Sequence, residues 1–61
     1  MNIPKDPYIL LSYINTKLRN NFPSLEELCL SLHVSLDEVT ETLFSVGYIY
    51  DQEKNQFVAK S

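Results

Sequence analysis

Cys29 and His33 stand four residues apart in the run LEELCLSLHV. That spacing brings two side chains onto one face of a helix. A thiolate and an imidazole so placed could share a metal ion, or act as nucleophile and base with a nearby glutamate to orient the imidazole. Both readings meet an obstacle in the rest of the chain. A structural zinc site is usually closed by four ligands, and the sequence holds one Cys and one His. Cys29 also falls inside an apolar stripe, where a free cysteine behaves as a small hydrophobe, and His33 falls at a break between helices. No metal or cofactor is expected. One glycine, Gly47, cannot build a glycine-rich phosphate loop, and a chain this small leaves little room for a substrate pocket of about 300 Å³ or more. The neighbouring carboxylates Glu26-Glu27 and Asp37-Glu38 are adjacent rather than convergent. They suit the first turns of helices, where the dipole stabilises negative charge. The sequence therefore speaks against an enzyme.

The elements that position these residues read clearly. Asp6-Pro7 is a helix start, a carboxylate N-cap followed by a proline whose missing N–H costs nothing. Leu10, Leu11, Ile14 and Leu18 then recur at helical spacing, and the helix should fade at Asn20-Asn21 because Pro23 disfavours helical geometry in Phe22. Ser24 and Glu27 form an S-x-x-E capping box that opens a second helix with Leu25, Leu28, Cys29 and Leu32 on its inner face. Ser35 and Glu38 repeat the box for a third helix lined by Val39, Leu43 and Val46, with Leu36 at its edge and Gly47 as the C-terminal stop. The period then changes. Tyr48-Ile49-Tyr50 and Gln56-Phe57-Val58 are β-prone and flank the turn DQEKN, which predicts a hairpin with Asn55 near left-handed geometry. The expected fold is mainly α: a three-helix, helix-turn-helix bundle with a C-terminal β-hairpin, winged-helix-like, in one domain over residues 1–61.

Sixty-one residues lie near the lower size limit for independent folding. Without a staple, a core of this size contributes a net stability of no more than about 3–5 kcal/mol. A lone cysteine rules out an internal disulfide and fits a reducing compartment. Met1 leads into polar NIPKDPY, with no apolar run long enough for a signal peptide or membrane span, so a cytoplasmic protein with no membrane contact is expected. The formal charge of −3 is unevenly spread. Residues 24–46 carry Glu26, Glu27, Asp37, Glu38 and Glu41 and nothing basic, whereas Lys5, Lys17 and Arg19 lie before them.

The stretch LEELCLSLHVSLDEVTETLFSVGYIYD resembles the helix-turn-helix core of many bacterial regulators, with His33 where those proteins usually have glycine. Through IPKDPYILLSYINTKLR, LEELC and GYIYDQEKNQF, nearly the whole chain, about residues 3 to 58, is similar to a family of very short bacterial proteins known only as a domain of unknown function. The first resemblance implies DNA binding, and the second implies no activity.

The residues weigh against DNA. The outward side of the third helix offers Asp37, Glu38 and Glu41 to a polyanion, while phosphate binding and base reading draw on Lys, Arg, Asn and Gln. What remains are apolar residues off the core stripes: Ile9, Tyr13, Leu30 and Phe44. Exposed together they would form a contact surface. Otherwise the hairpin and N-terminal arm fold over them, because Ile3, Tyr48, Tyr50 and Phe57 also need something to pack on. The expected function is a small non-catalytic protein–protein interaction module, working as a homodimer or as an adaptor for a protein partner. Its acidic third helix would suit a basic partner surface. A helix-turn-helix DNA-binding regulator is the alternative, and no small-molecule ligand is evident.

Overall fold

Each helix begins where a short polar side chain can accept an N–H that the helix leaves without a partner. In the computed structural model, which describes residues 3–60, α1 runs Pro7–Asn20, α2 Leu25–Leu32 and α3 Leu36–Phe44. Asp6 Oδ1 accepts from the N–H groups of Tyr8 (2.9 Å) and Ile9 (3.3 Å). Ser24 Oγ accepts from Glu27 and Ser35 Oγ from Glu38. Each expected capping box is half made: among the described residues neither glutamate side chain reaches back to its serine N–H, and both remain exposed.

Between α2 and α3 the chain turns within three residues. Val34 N–H donates to Cys29 O (3.1 Å) and His33 N–H to Leu30 O (3.4 Å), the pair of bonds of a Schellman motif. The motif requires a left-handed residue at its centre, and His33 supplies it at φ 58°, ψ 42°. The histidine thus takes the conformation in which glycine is the usual occupant.

The third helix is shorter than the sequence implies. It stops at Phe44, and Val46, expected on its inner face, lies half-buried in the turn beyond. The reason is local. Ser45 Oγ donates to Thr42 O at 2.6 Å, and Val46 and Gly47 N–H bond the carbonyls three residues back, which tightens the last turn. Gly47, at φ 84°, then redirects the chain.

Strands β1 (Tyr48–Asp51) and β2 (Gln56–Ala59) each extend one residue past the expected span and pair antiparallel, with Tyr50 opposite Phe57. The rings of that pair lie 5.5 Å apart, tilted by 52°. Asp51 Oδ1 accepts from Glu53 and Lys54 N–H to shape the turn, and Asn55 closes it at φ 53°.

The core comprises Leu10, Ile14 and Leu18 of α1, Leu25, Leu28, Cys29 and Leu32 of α2, Val39 and Leu43 of α3, and Phe57 of the hairpin. Ile3, Tyr48 and Tyr50 pack against it half-buried.

Polar side chains join the hairpin to the helices. Asn15, midway along α1, donates from Nδ2 to Phe57 O (3.0 Å) and accepts from Phe57 N–H at Oδ1 (2.7 Å). Its amide pairs with β2 much as a neighbouring strand would. Gln56 Nε2 donates to Asn15 O. At the hairpin tip, Asn55 Nδ2 donates to Leu18 O (3.2 Å) and Phe22 O (2.9 Å), serving carbonyls that the end of α1 leaves open. Tyr50 Oη donates to Asn55 Oδ1 and accepts from Leu25 N–H at the start of α2.

Replacing Asn15 by Ala leaves both backbone groups of Phe57 without their partner, and should cost about 1–3 kcal/mol in urea unfolding followed by circular dichroism. At position 55, Ala loses the same bonds as Gly but must also hold positive φ. Asn55→Ala should therefore be less stable than Asn55→Gly by about 1 kcal/mol. His33→Gly, which relieves the left-handed turn, should gain about 0.5–1 kcal/mol.

Candidate functional site

The pair that first suggests chemistry is separated by the turn. Cys29 sits in the core at 4% exposure, and burial pushes its thiol above the ordinary range. His33, at the centre of the turn, is exposed. No group of three or more His, Cys, Asp or Glu able to hold a metal ion occurs among the described residues.

The expected lack of room is corrected by two open surface clefts of about 440 and 450 Å³. The first cleft lies between the N-terminal arm, α1 and the start of α3. Lys5, His33, Ser35, Glu38 and Thr42 line it together with apolar Ile3, Leu10 and Val39. The second lies between α2, α3 and β1, lined by Leu25, Glu26, Leu36, Thr40, Tyr50 and Gln52 among others. A further cleft of about 250 Å³, lined by Glu26, Cys29, Leu30, Val34 and Leu36, shares two residues with the second. Glu26 and Leu36 line both, so the two clefts are neighbours on the α2–α3 face.

The four apolar candidates separate. Leu30 is 72% exposed, Ile9 59% and Phe44 51%. Tyr13 is half-buried against the core, with Lys17 Nζ 5.7 Å from its ring centre. The hairpin aromatics reach the core itself and leave the other three uncovered. Lys60 Nζ lies 4.6 Å from the Phe44 ring centre, within cation–π range. Leu30 and Leu36 share a groove, while Ile9 lies on α1 and Phe44 at the far end of α3.

Exposed Tyr8, Leu36 and Ile49 were not among the expected contact residues. For Ile49 the signal was the strand alternation, which sets it opposite Val58 on the face away from Tyr50 and Phe57. Leu30 and Leu36 are six residues apart across a turn, so no helical period links them.

The acidic face also divides. Asp37, Glu38 and Glu41 are all exposed, but Glu38 lines the first cleft beside Lys5. Asp37 and Glu41, one turn apart, share a face next to the Leu36–Thr40 side of α3. Glu26, in the first turn of α2, lines both the second cleft and the 250 Å³ cleft.

A protein-family model described as "Domain of unknown function (DUF4250)" matches residues 4–57. No curated protein and no solved structure matches the chain.

Because burial favours the neutral thiol, the fold binds the Cys29 proton more tightly than the unfolded chain does. Its stabilising contribution is complete below the ordinary thiol value of 9.0 and falls as pH rises past it. A disulfide reagent at pH 8 should leave Cys29 almost unmodified in the native protein and label it rapidly in urea. Cys29→Ala should abolish the pH-dependent decline.

Proposed function

The chain belongs to that family, and we propose that it is a small, non-catalytic, winged-helix-like module that binds a protein through the groove between α2 and α3. The observation that carries this reading is Leu30, 72% exposed, in a cleft it shares with Leu36. A core of this size contributes no more than about 3–5 kcal/mol of net stability. Covering Leu30 would recover about 1–2 kcal/mol of apolar burial. An exposed leucine elsewhere would be unremarkable, but this one shares a formed groove with a second exposed leucine. The core stands complete without either residue, so both are free to serve a contact.

The same face is poorly suited to nucleic acid. Asp37 and Glu41 would meet the phosphates, and no Lys or Arg occurs from Asn20 through Glu53. A DNA-binding role would need its positive charge from a partner or from the Lys17–Arg19 end of α1. No helix among the described residues is long and apolar enough to cross a membrane, which agrees with a role in the cytoplasm.

Two measurements test the reading. Affinity capture from the native host should recover a specific protein with the wild-type chain and lose it with Leu30→Ser. A fluorescent duplex at low salt should show no saturable binding. The proposal fails if Leu30→Ser captures the same proteins as wild type, or if the duplex binds and weakens steeply with added salt.

A further inference from the structure

We infer that the occupant of the groove is a basic, apolar-anchored segment of another protein rather than a second copy of this chain. The inference rests on the proposed interaction role and adds the chemistry of the partner. The groove, made of the two neighbouring clefts, offers apolar walls at Leu25, Leu30, Val34 and Leu36. Helical spacing places Glu26 one turn before Leu30, and sets Asp37 and Glu41 one position beyond Leu36 and Thr40. Glu26 lines both clefts, and Asp37 and Glu41 are exposed on α3, the helix that contributes Leu36 and Thr40 to the lining. From Asn20 through Glu53 the sequence holds seven carboxylates and no Lys or Arg, and of the lysines outside that stretch Lys5 shares the first cleft with Glu38 and Lys60 lies over Phe44.

That charge pattern decides between occupants. A symmetric dimer joins the same patch on both copies, so it would set the Glu26 and Asp37 side chains of two chains of net charge −3 against each other. Like charges so placed oppose the contact. A head-to-tail contact could bring Lys17 and Arg19 of one copy to the groove of the next, and would build a closed ring or an open chain of molecules. A separate segment with one or two large apolar side chains between lysines or arginines satisfies both features at once. Its apolar groups cover Leu30 and Leu36, and its cations meet Glu26, Asp37 and Glu41. The mode is that of an amphipathic helix laid in a groove.

The experiment uses the full, ¹⁵N-labelled chain and two synthetic amphipathic peptides of about 18 residues that share one leucine stripe. One carries lysine on its polar face and the other glutamate. The Leu/Lys peptide should shift the amide signals of Glu26, Leu30 and Leu36 in a saturable way. Leu30→Ser, which keeps every charge and alters a surface residue, should weaken it about tenfold, and so should Glu26→Lys. The Leu/Glu peptide should leave the spectrum unchanged. Shifts centred on Asp51 and Glu53 and indifferent to Leu30→Ser would mean unspecific charge attraction, and would overturn both this inference and the groove. Absence of binding by either peptide, or equal binding by both, would overturn the basic partner. Sedimentation of the free chain supplies the remaining outcome. Self-association abolished by Leu30→Ser would replace the basic partner with a second copy while leaving the groove as the interaction site.

Discussion

The fold depends on holding a two-stranded hairpin against three short helices, and amide side chains supply most of the polar hold. An isolated hairpin of this size is marginal in water. Here Asn15 binds the N–H and C=O of Phe57 from the middle of α1, and from the hairpin tip Asn55 binds the carbonyl of Leu18 in the last turn of α1 and that of Phe22 just beyond it. Tyr50 links that tip to the first N–H of α2. These bonds satisfy backbone groups that helix ends and a strand edge would otherwise leave open. They also seat Phe57, the hairpin's contribution to the buried core, among the helix leucines. Polar anchoring and apolar burial therefore support one another, and neither would hold the hairpin in register alone.

A second constraint acts at His33. The left-handed turn there reverses the chain in three residues, so α3 starts beside the end of α2. This places Leu36 next to Leu30 and makes a groove from residues that belong to different helices. The same turn directs Cys29 inward and His33 outward, which separates the two side chains most suggestive of chemistry. One backbone conformation thus removes a potential site and creates another surface.

The acidic residues serve two ends. Asp6, Glu26, Glu27, Asp37 and Glu38 lie at helix beginnings, where an N–H bond or the helix dipole stabilises their charge. The charged side chains that α2 and α3 themselves carry are all acidic and exposed. The same charge pattern that strengthens helix starts is what the proposed basic partner would meet on the α2–α3 face.

Local interactions made much of this readable in advance. The caps at Asp6, Ser24 and Ser35, the stripes through Leu10, Leu28 and Val39, and the positive-φ positions Gly47 and Asn55 depend on residues within one turn of each other, so residue types and spacing determined them. The early end of α3 escaped because the Ser45–Thr42 bond competes with helix continuation over a single turn. The Asn15–Phe57 and Asn55–Leu18 bonds join residues 42 and 37 positions apart, and nothing in an asparagine's neighbours marks such a partner. Exposure was decided in the same way. Tyr13 and Leu30 read alike as residues off a stripe, yet packing half-covers the first and leaves the second open. By itself the sequence determined which helices form, where they start, and that the middle of the chain is acidic. Only the tertiary structure decided that Leu30, Leu36 and Glu26 share a groove, because that proximity follows from the turn and from how the hairpin docks.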